Sequence, residues 1–237
     1  MKKLILLLLC TLALGITTAR AQELTKKEKR AQAKEVKAAE KAQSKTEKQN
    51  KQDAKKAAKR EARFAKFIEM VRTYEPVQMN TKNVVALKNL VGHMNDMMAD
   101  IILLEKAFNS VEMVSEAYVD EDGIPGTSWS ARNRYTQQTY SNNEAEELLR
   151  AQKRNIVAKK TEAGLLVIEA TNAGAGIATA NLSTADKIAL GLSATQLIKQ
   201  AKFIRFGLGA MNYHLNKNME YLGFQLDNEG ADSMEDE

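Results

Sequence analysis

Leu87, Leu90, Met94, Met97, Ile101, Leu104, Phe108 and Val111 follow one another in steps of three and four without a miss. That spacing puts every one of them on the same side of an α-helix and nowhere else, because a helix repeats every 3.6 residues. The pattern predicts a helix from residue 81 to about 118, capped by Asn80 or Thr81. Val84, Val91, Met98, Ile102 and Leu103 widen the stripe beyond a two-stranded seam. A helix that is apolar on most sides must be surrounded by other helices, so the pattern predicts the central helix of a bundle.

Flanking segments carry the same kind of signal. Phe64, Phe67, Ile68 and Val71 begin an apolar face that ends near Tyr74-Glu75-Pro76, where Pro76 biases Glu75 out of the helical region. Ser141-Asn142-Asn143-Glu144 has the reciprocal serine–glutamate spacing that starts a helix, predicted over 143–180. Within it, Ala170, Gly174 and Ala178 stand four apart, as do Gly176 and Ala180, a spacing that lets helix backbones approach closely. Ser183 and Asp186 open a further helix over 184–206. Gly207 and Gly209 read as its stop or kink, before a last amphipathic helix with Leu208, Met211, Leu215, Met219 and Leu222. No stretch alternates at length as a strand does. The predicted fold class is all-α: an elongated helical bundle over 64–226 with long antiparallel helices, preceded by an extended basic helical arm.

That arm, residues 22–63, holds fifteen basic and seven acidic side chains and has only Leu24 and Val36 as large apolar residues. Its residues are strong helix formers, but it has no stripe to bury. It therefore reads as a solvated helix or disordered spacer whose charge can also dock on an anionic membrane surface. The net charge of +5 hides this asymmetry. Residues 64–226 balance seventeen against seventeen, and residues 227–237 carry six acidic groups and no pattern for packing, so an acidic disordered tail is expected.

Residues 1–21 have the parts of a secretory signal: Lys2 and Lys3, an apolar stretch from Leu4 to Ile16, and Ala19-Arg20-Ala21 before a cut at Ala21/Gln22. The expectation is an exported chain, periplasmic or extracellular. Cys10, the single cysteine, falls inside that segment. The mature chain would then lack disulfides, thiolate catalysis and cysteine–metal sites.

Chemistry-bearing motifs are sparse. His93 with Met94, Met97 and Met98 could hold Cu(I), but the methionines belong to the core stripe. His93, Asp96 and Asp100 lie along the flank of that stripe, where charges are ordinarily solvated. Asp120, Asp122 and Gly123 match part of a calcium loop, but Tyr118 and Trp129 would fill its first and last ligand positions, so the match fails. Gly174-Ala-Gly176 is not preceded by a strand and is helix packing, not a phosphate loop. No nucleophile–base pair stands out. The expectation is a non-enzyme without catalytic residues, cofactor or metal.

One candidate surface remains. Residues 120–142 read as a long loop, and Trp129, Arg132, Arg134, Tyr135 and Tyr140 combine the aromatics and arginines that dominate binding hot spots. The other reading is that Trp129 and Tyr135 fold back to cap the bundle. The expected partners are proteins of the cell envelope, with a homo-oligomer compatible with the excess apolar surface. Nucleic acid is disfavoured, because the arm offers no aromatic residue before Phe64 to stack on bases. The functional expectation is a structural or interaction subunit of an envelope assembly, such as a secretion or conjugative DNA-transfer apparatus. The alternatives are a periplasmic holdase-type chaperone and a membrane-active helical protein.

Overall fold

The computed structural model describes residues 26–226, with side chains at 41, 43 and 45–226. The expected signal, its cleavage point and the acidic tail lie outside the described residues. The elements are α1 (Lys26–Arg72), α2 (Val85–Asn109), β1 (Val111–Val119), β2 (Pro125–Asn133), α3 (Asn142–Thr179) and α4 (Thr184–Tyr221). The described residues are mostly helical, as the periodicity requires, and among them is one two-stranded antiparallel sheet where no strand is expected from the sequence.

The chain divides into two units, residues 1–57 and 58–237. In the first, the described side chains of α1 are exposed, and Gln49 donates to the Asp53 carboxylate one turn on at 3.1 Å. In the second, α1 runs without interruption through the expected boundary at 63/64 to Arg72.

The second unit is organised around α2, α3 and α4. Lys159 pairs with Asp100, Glu169 with His93, and Gln152 donates to the Ala107 carbonyl. Rising numbers on α3 meet falling numbers on α2, so these helices are antiparallel. α3 and α4 form an antiparallel hairpin: Lys187 reaches the Ala178 carbonyl beside the turn, and Arg150 reaches the Gln225 carbonyl at the other end. Both helices start on a serine. Ser141 and Glu144 satisfy each other's backbone N–H, and Ser183 accepts from the Asp186 N–H.

Leu87, Leu90, Met94, Met97 and Ile101 are buried as the stripe demands, but the pattern overruns its helix. α2 stops at Asn109, where both the backbone N–H and the hydroxyl of Ser110 donate to the Ala107 carbonyl. Val111 is buried as a strand residue, which is why it fits the helical count yet is not helical. The expected cap also differs. Asn80 accepts from the Lys82 N–H, Lys82 and Asn83 take positive φ, and Val84 precedes the helix without a side-chain cap.

Gly207 and Gly209 neither stop nor kink α4, which is continuous. Gly207 instead makes room for Phe67: a Cβ there would sit 2.1 Å from a ring carbon. Phe67 is fully buried and meets Phe203 edge to face at 6.1 Å. Phe64 stacks on His214 at 4.8 Å and meets Phe108 edge on at 6.4 Å. Arg63 lies 4.0 Å from the centre of the Phe206 ring. In the small-residue run of α3, Ala170 and Ala173 are fully buried, a Cβ at Gly176 would be in ordinary van der Waals contact with Ala86 at 3.6 Å, and Gly174 faces open space.

The connection from α1 to α2 is held by one amide. Asn95 accepts from the Tyr74 hydroxyl (2.6 Å) and the Val77 N–H (2.8 Å), and donates to the Val77 carbonyl (3.2 Å). Burial raises the Tyr74 pKa, which keeps the phenol protonated as the donor. Asn95→Ala strands these groups and is expected to cost about 1.5 kcal/mol, read from urea unfolding with an unchanged slope.

Candidate functional site: the β-hairpin

Residues expected as the end of the 81–118 helix and as part of the 120–142 loop instead build a hairpin. Nine residues pair with nine in unbroken antiparallel register, from Val111↔Asn133 to Val119↔Pro125, with no bulge. At about 3.4 Å per residue the ladder is roughly 30 Å long. Val111, Val114, Tyr118 and Val119 favour a strand, and Gly123 at φ 77° gives the turn the backbone that other residues resist. Asp120 is spent on that turn. Its carboxylate accepts from the N–H groups of Asp122 (3.1 Å) and Ile124 (2.7 Å). Gly126 lies under the Tyr118 ring on the opposite strand, leaving no space for a Cβ.

The two faces differ. Odd-numbered side chains look toward the bundle near the base: Val111 and Ala131 are buried, and Met113 packs against the core. Trp129 stacks on Tyr221, the last residue of α4, with ring centres 4.4 Å apart and planes 14° apart. The other face carries the Glu112–Arg132 pair at 2.8 Å, with Glu116 and Tyr118 beyond it. Toward the turn the hairpin loses contact with the bundle, and Tyr118 (50%), Val119 (68%) and Ile124 (60%) are exposed.

The five expected contact residues therefore divide. Trp129 and Tyr140 are half-buried; the Tyr140 hydroxyl accepts from Asn133, and its N–H donates to Ala131. Arg132 is occupied by Glu112. Arg134 and Tyr135 are exposed in the turn after β2, which Asn133 shapes by accepting from the N–H groups of Tyr135 and Thr136. Tyr135, read as a possible cap, is 71% exposed. The exposed apolar residues at the far end, Tyr118, Val119 and Ile124, were missed, although a Val/Tyr-rich run ending in Asp-Gly was the available signal.

The hairpin leaves both outer edges unpaired for most of their length. The Ala131 carbonyl accepts from Tyr140 and the Asn133 N–H donates to Gln138, so odd-numbered residues of β2 direct their backbone groups away from β1. Antiparallel pairing makes their partners on β1 do the same. Met113, Ser115, Ala117 and Val119 thus point N–H and C=O groups outward, and these have no backbone partner among the described residues.

The titratable groups elsewhere are used structurally. Met94, Met97 and Met98 are buried, whereas His93 is on the exposed flank, 2.9 Å from the Glu169 carboxylate. Its hydrogen bond to Glu169 raises the His93 pKa. Sign follows from that direction. The pair supports folding below the ordinary imidazole pKa of about 6.5 and loses its effect as pH rises through the higher folded value. An NMR titration should give His93 a pKa above that reference, and Glu169→Gln should bring it down. Glu105, buried in α2, accepts from Arg72 at 2.7 Å and from Asn109. Among the described residues, no three His, Cys, Asp or Glu side chains are grouped to hold a metal, and no helix is long and apolar enough to cross a membrane. Comparison with protein-family models, with curated proteins and with solved structures finds no match.

Proposed function

We propose that this chain is an exported, non-enzymatic interaction subunit of a cell-envelope assembly, and that the β1–β2 hairpin is its docking element. The observation that carries the reading is the hairpin itself: a long ladder with open edges and exposed Tyr118, Val119 and Ile124 at its far end. A lone two-stranded ribbon is marginal in water and gains stability from a further strand or a packed face. Edge strands are usually protected by charged side chains, lysine above all, by proline or by a bulge; β1 has no lysine, proline or bulge, and of its two charges Glu112 is paired with Arg132 of its own hairpin. The basic residues of α1 supply a second, unspecific attraction toward anionic surfaces.

The test is co-purification from the envelope of the source cells. The native chain should retain an envelope protein, which includes a second copy of itself, that the triple variant Tyr118→Ser, Val119→Ser, Ile124→Ser loses while its helical circular dichroism is unchanged. Equal recovery by both chains, or nothing recovered by either, contradicts the reading. A chain that stops an unfolded client from aggregating equally well with the triple substitution is a holdase instead.

A further inference from the structure

We infer that the outer edge of β1 pairs with the same edge of a second copy, antiparallel and centred on Ser115, giving a sheet in the order β2–β1–β1–β2. This rests on the hairpin being the docking element and names its partner.

Three properties of the strand select that register. The first is backbone direction. Met113, Ser115 and Ala117 all face outward. Centring on Ser115 sets each Ser115 against its counterpart and Met113 against Ala117 of the other copy, so outward groups meet outward groups. Sliding one strand by a single residue would set outward-facing groups against inward-facing ones and turn the side chains to the wrong face, so only registers that pair odd positions with odd positions are open, and the next two properties choose among them.

The second is the side-chain pattern. The same register sets Val119, 68% exposed, beside Val111, which is buried at the base of the other hairpin. The apolar end of each ribbon thereby continues the other's packed face. On the opposite face Glu112 lies across from Tyr118 and Glu116 across from Val114, so neither carboxylate meets its own kind directly.

The third is charge. The turn Asp120-Glu121-Asp122 is acidic and exposed. Counting along the paired strands puts Asp120 opposite Ser110 of the other copy. At that corner the Ser110 carbonyl holds the Arg134 N–H at 2.8 Å, and Arg134 is exposed, as is Lys106 four residues before Ser110. An acidic tip meets a basic corner twice, once at each end. A head-to-head register would bring the two acidic turns together.

The experiment uses the full chain with Cys10→Ser, so that an added cysteine is the only one. Sedimentation should give a dimer that dissociates more readily as salt rises. Ser115→Cys should form a disulfide-linked dimer under mild oxidation, since residues in a hydrogen-bonded antiparallel pair sit about 5.5 Å apart between Cα atoms, within disulfide reach. Val114→Cys should not, and Val114→Cys with Glu116→Cys should. Ser115→Pro removes an outward N–H that the hairpin's own ladder does not use, so it should yield a monomer with unchanged helix content. A chain monomeric at about 100 μM, well above the micromolar range of ordinary specific association, overturns the inference. So does a dimer that Ser115→Cys fails to cross-link or Ser115→Pro leaves intact. If the chain is monomeric but the Tyr118, Val119 and Ile124 triple variant still loses a different envelope protein, the docking role stands and the second copy is the wrong partner.

Discussion

Gly207→Ala should destabilise the second unit by about 3 kcal/mol, the upper part of the range for an overpacked core. The added methyl would lie 2.1–2.4 Å from three carbons of the Phe67 ring, and Phe67 is fully buried between α1 and α4. The ring has little freedom to move, because Phe64 and Phe203 contact it. Helix propensity favours alanine over glycine by about 1 kcal/mol, so any destabilisation must come from packing. The effect should also be coupled. Phe67→Ala alone should cost about 3–5 kcal/mol as a buried aromatic truncated to a methyl. In the double variant the alanine at 207 has no ring to strike, and the total should fall well short of the sum. Chemical unfolding of the four proteins measures the cycle. An additive result would mean that Gly207 is not the seat of the Phe67 ring.

Trp129→Ala should loosen the hairpin without unfolding the helices. The indole stacks on Tyr221 and is only half-buried, so the expected loss is about 2 kcal/mol, less than for a fully buried tryptophan. Because Trp129 stands opposite Ser115, its loss frees the middle of the ladder, while Val111 and Ala131 still hold the base. Local opening governs amide exchange there, so protection of the inward-facing N–H groups of β1 should fall roughly 30-fold, with α3 and α4 unaffected. Uniform loss of protection across the helices would show instead that the hairpin is part of the global folding unit.

The helices were legible because burial repeats along them. The 143–180 prediction came within a residue of α3 at each end, since a serine–glutamate cap and a small-residue run left little choice. Three errors share a cause: local sequence does not report what stands opposite a residue. Val111 satisfies a helical count and is buried, but on a strand. Gly207 resembles a helix stop, but glycine there answers to an aromatic ring far away in sequence. The segment with Glu112, Ser115 and Glu116 reads as the end of the 81–118 helix and the one with Thr127 and Ser128 as part of the 120–142 loop, and only their pairing makes them strands. The same blindness affected the contact candidates. Arg132 and Tyr140 have the right composition for a hot spot, yet the fold engages both internally; Trp129 stacks on Tyr221, in line with its alternative reading as a cap, while the exposed apolar side chains lie nearer the turn.

The central claim is that this hairpin, and not the helical faces, meets the partner. Photo-cross-linking in the source cells tests it most directly, with a benzophenone side chain placed singly at Ser115, Ile124, Leu103 and Leu192. All four positions are exposed, the last two on α2 and α4. Adducts to a second protein or a second copy from Ser115 and Ile124, with none from Leu103 and Leu192, are the predicted result. Adducts from the helical positions alone would contradict it.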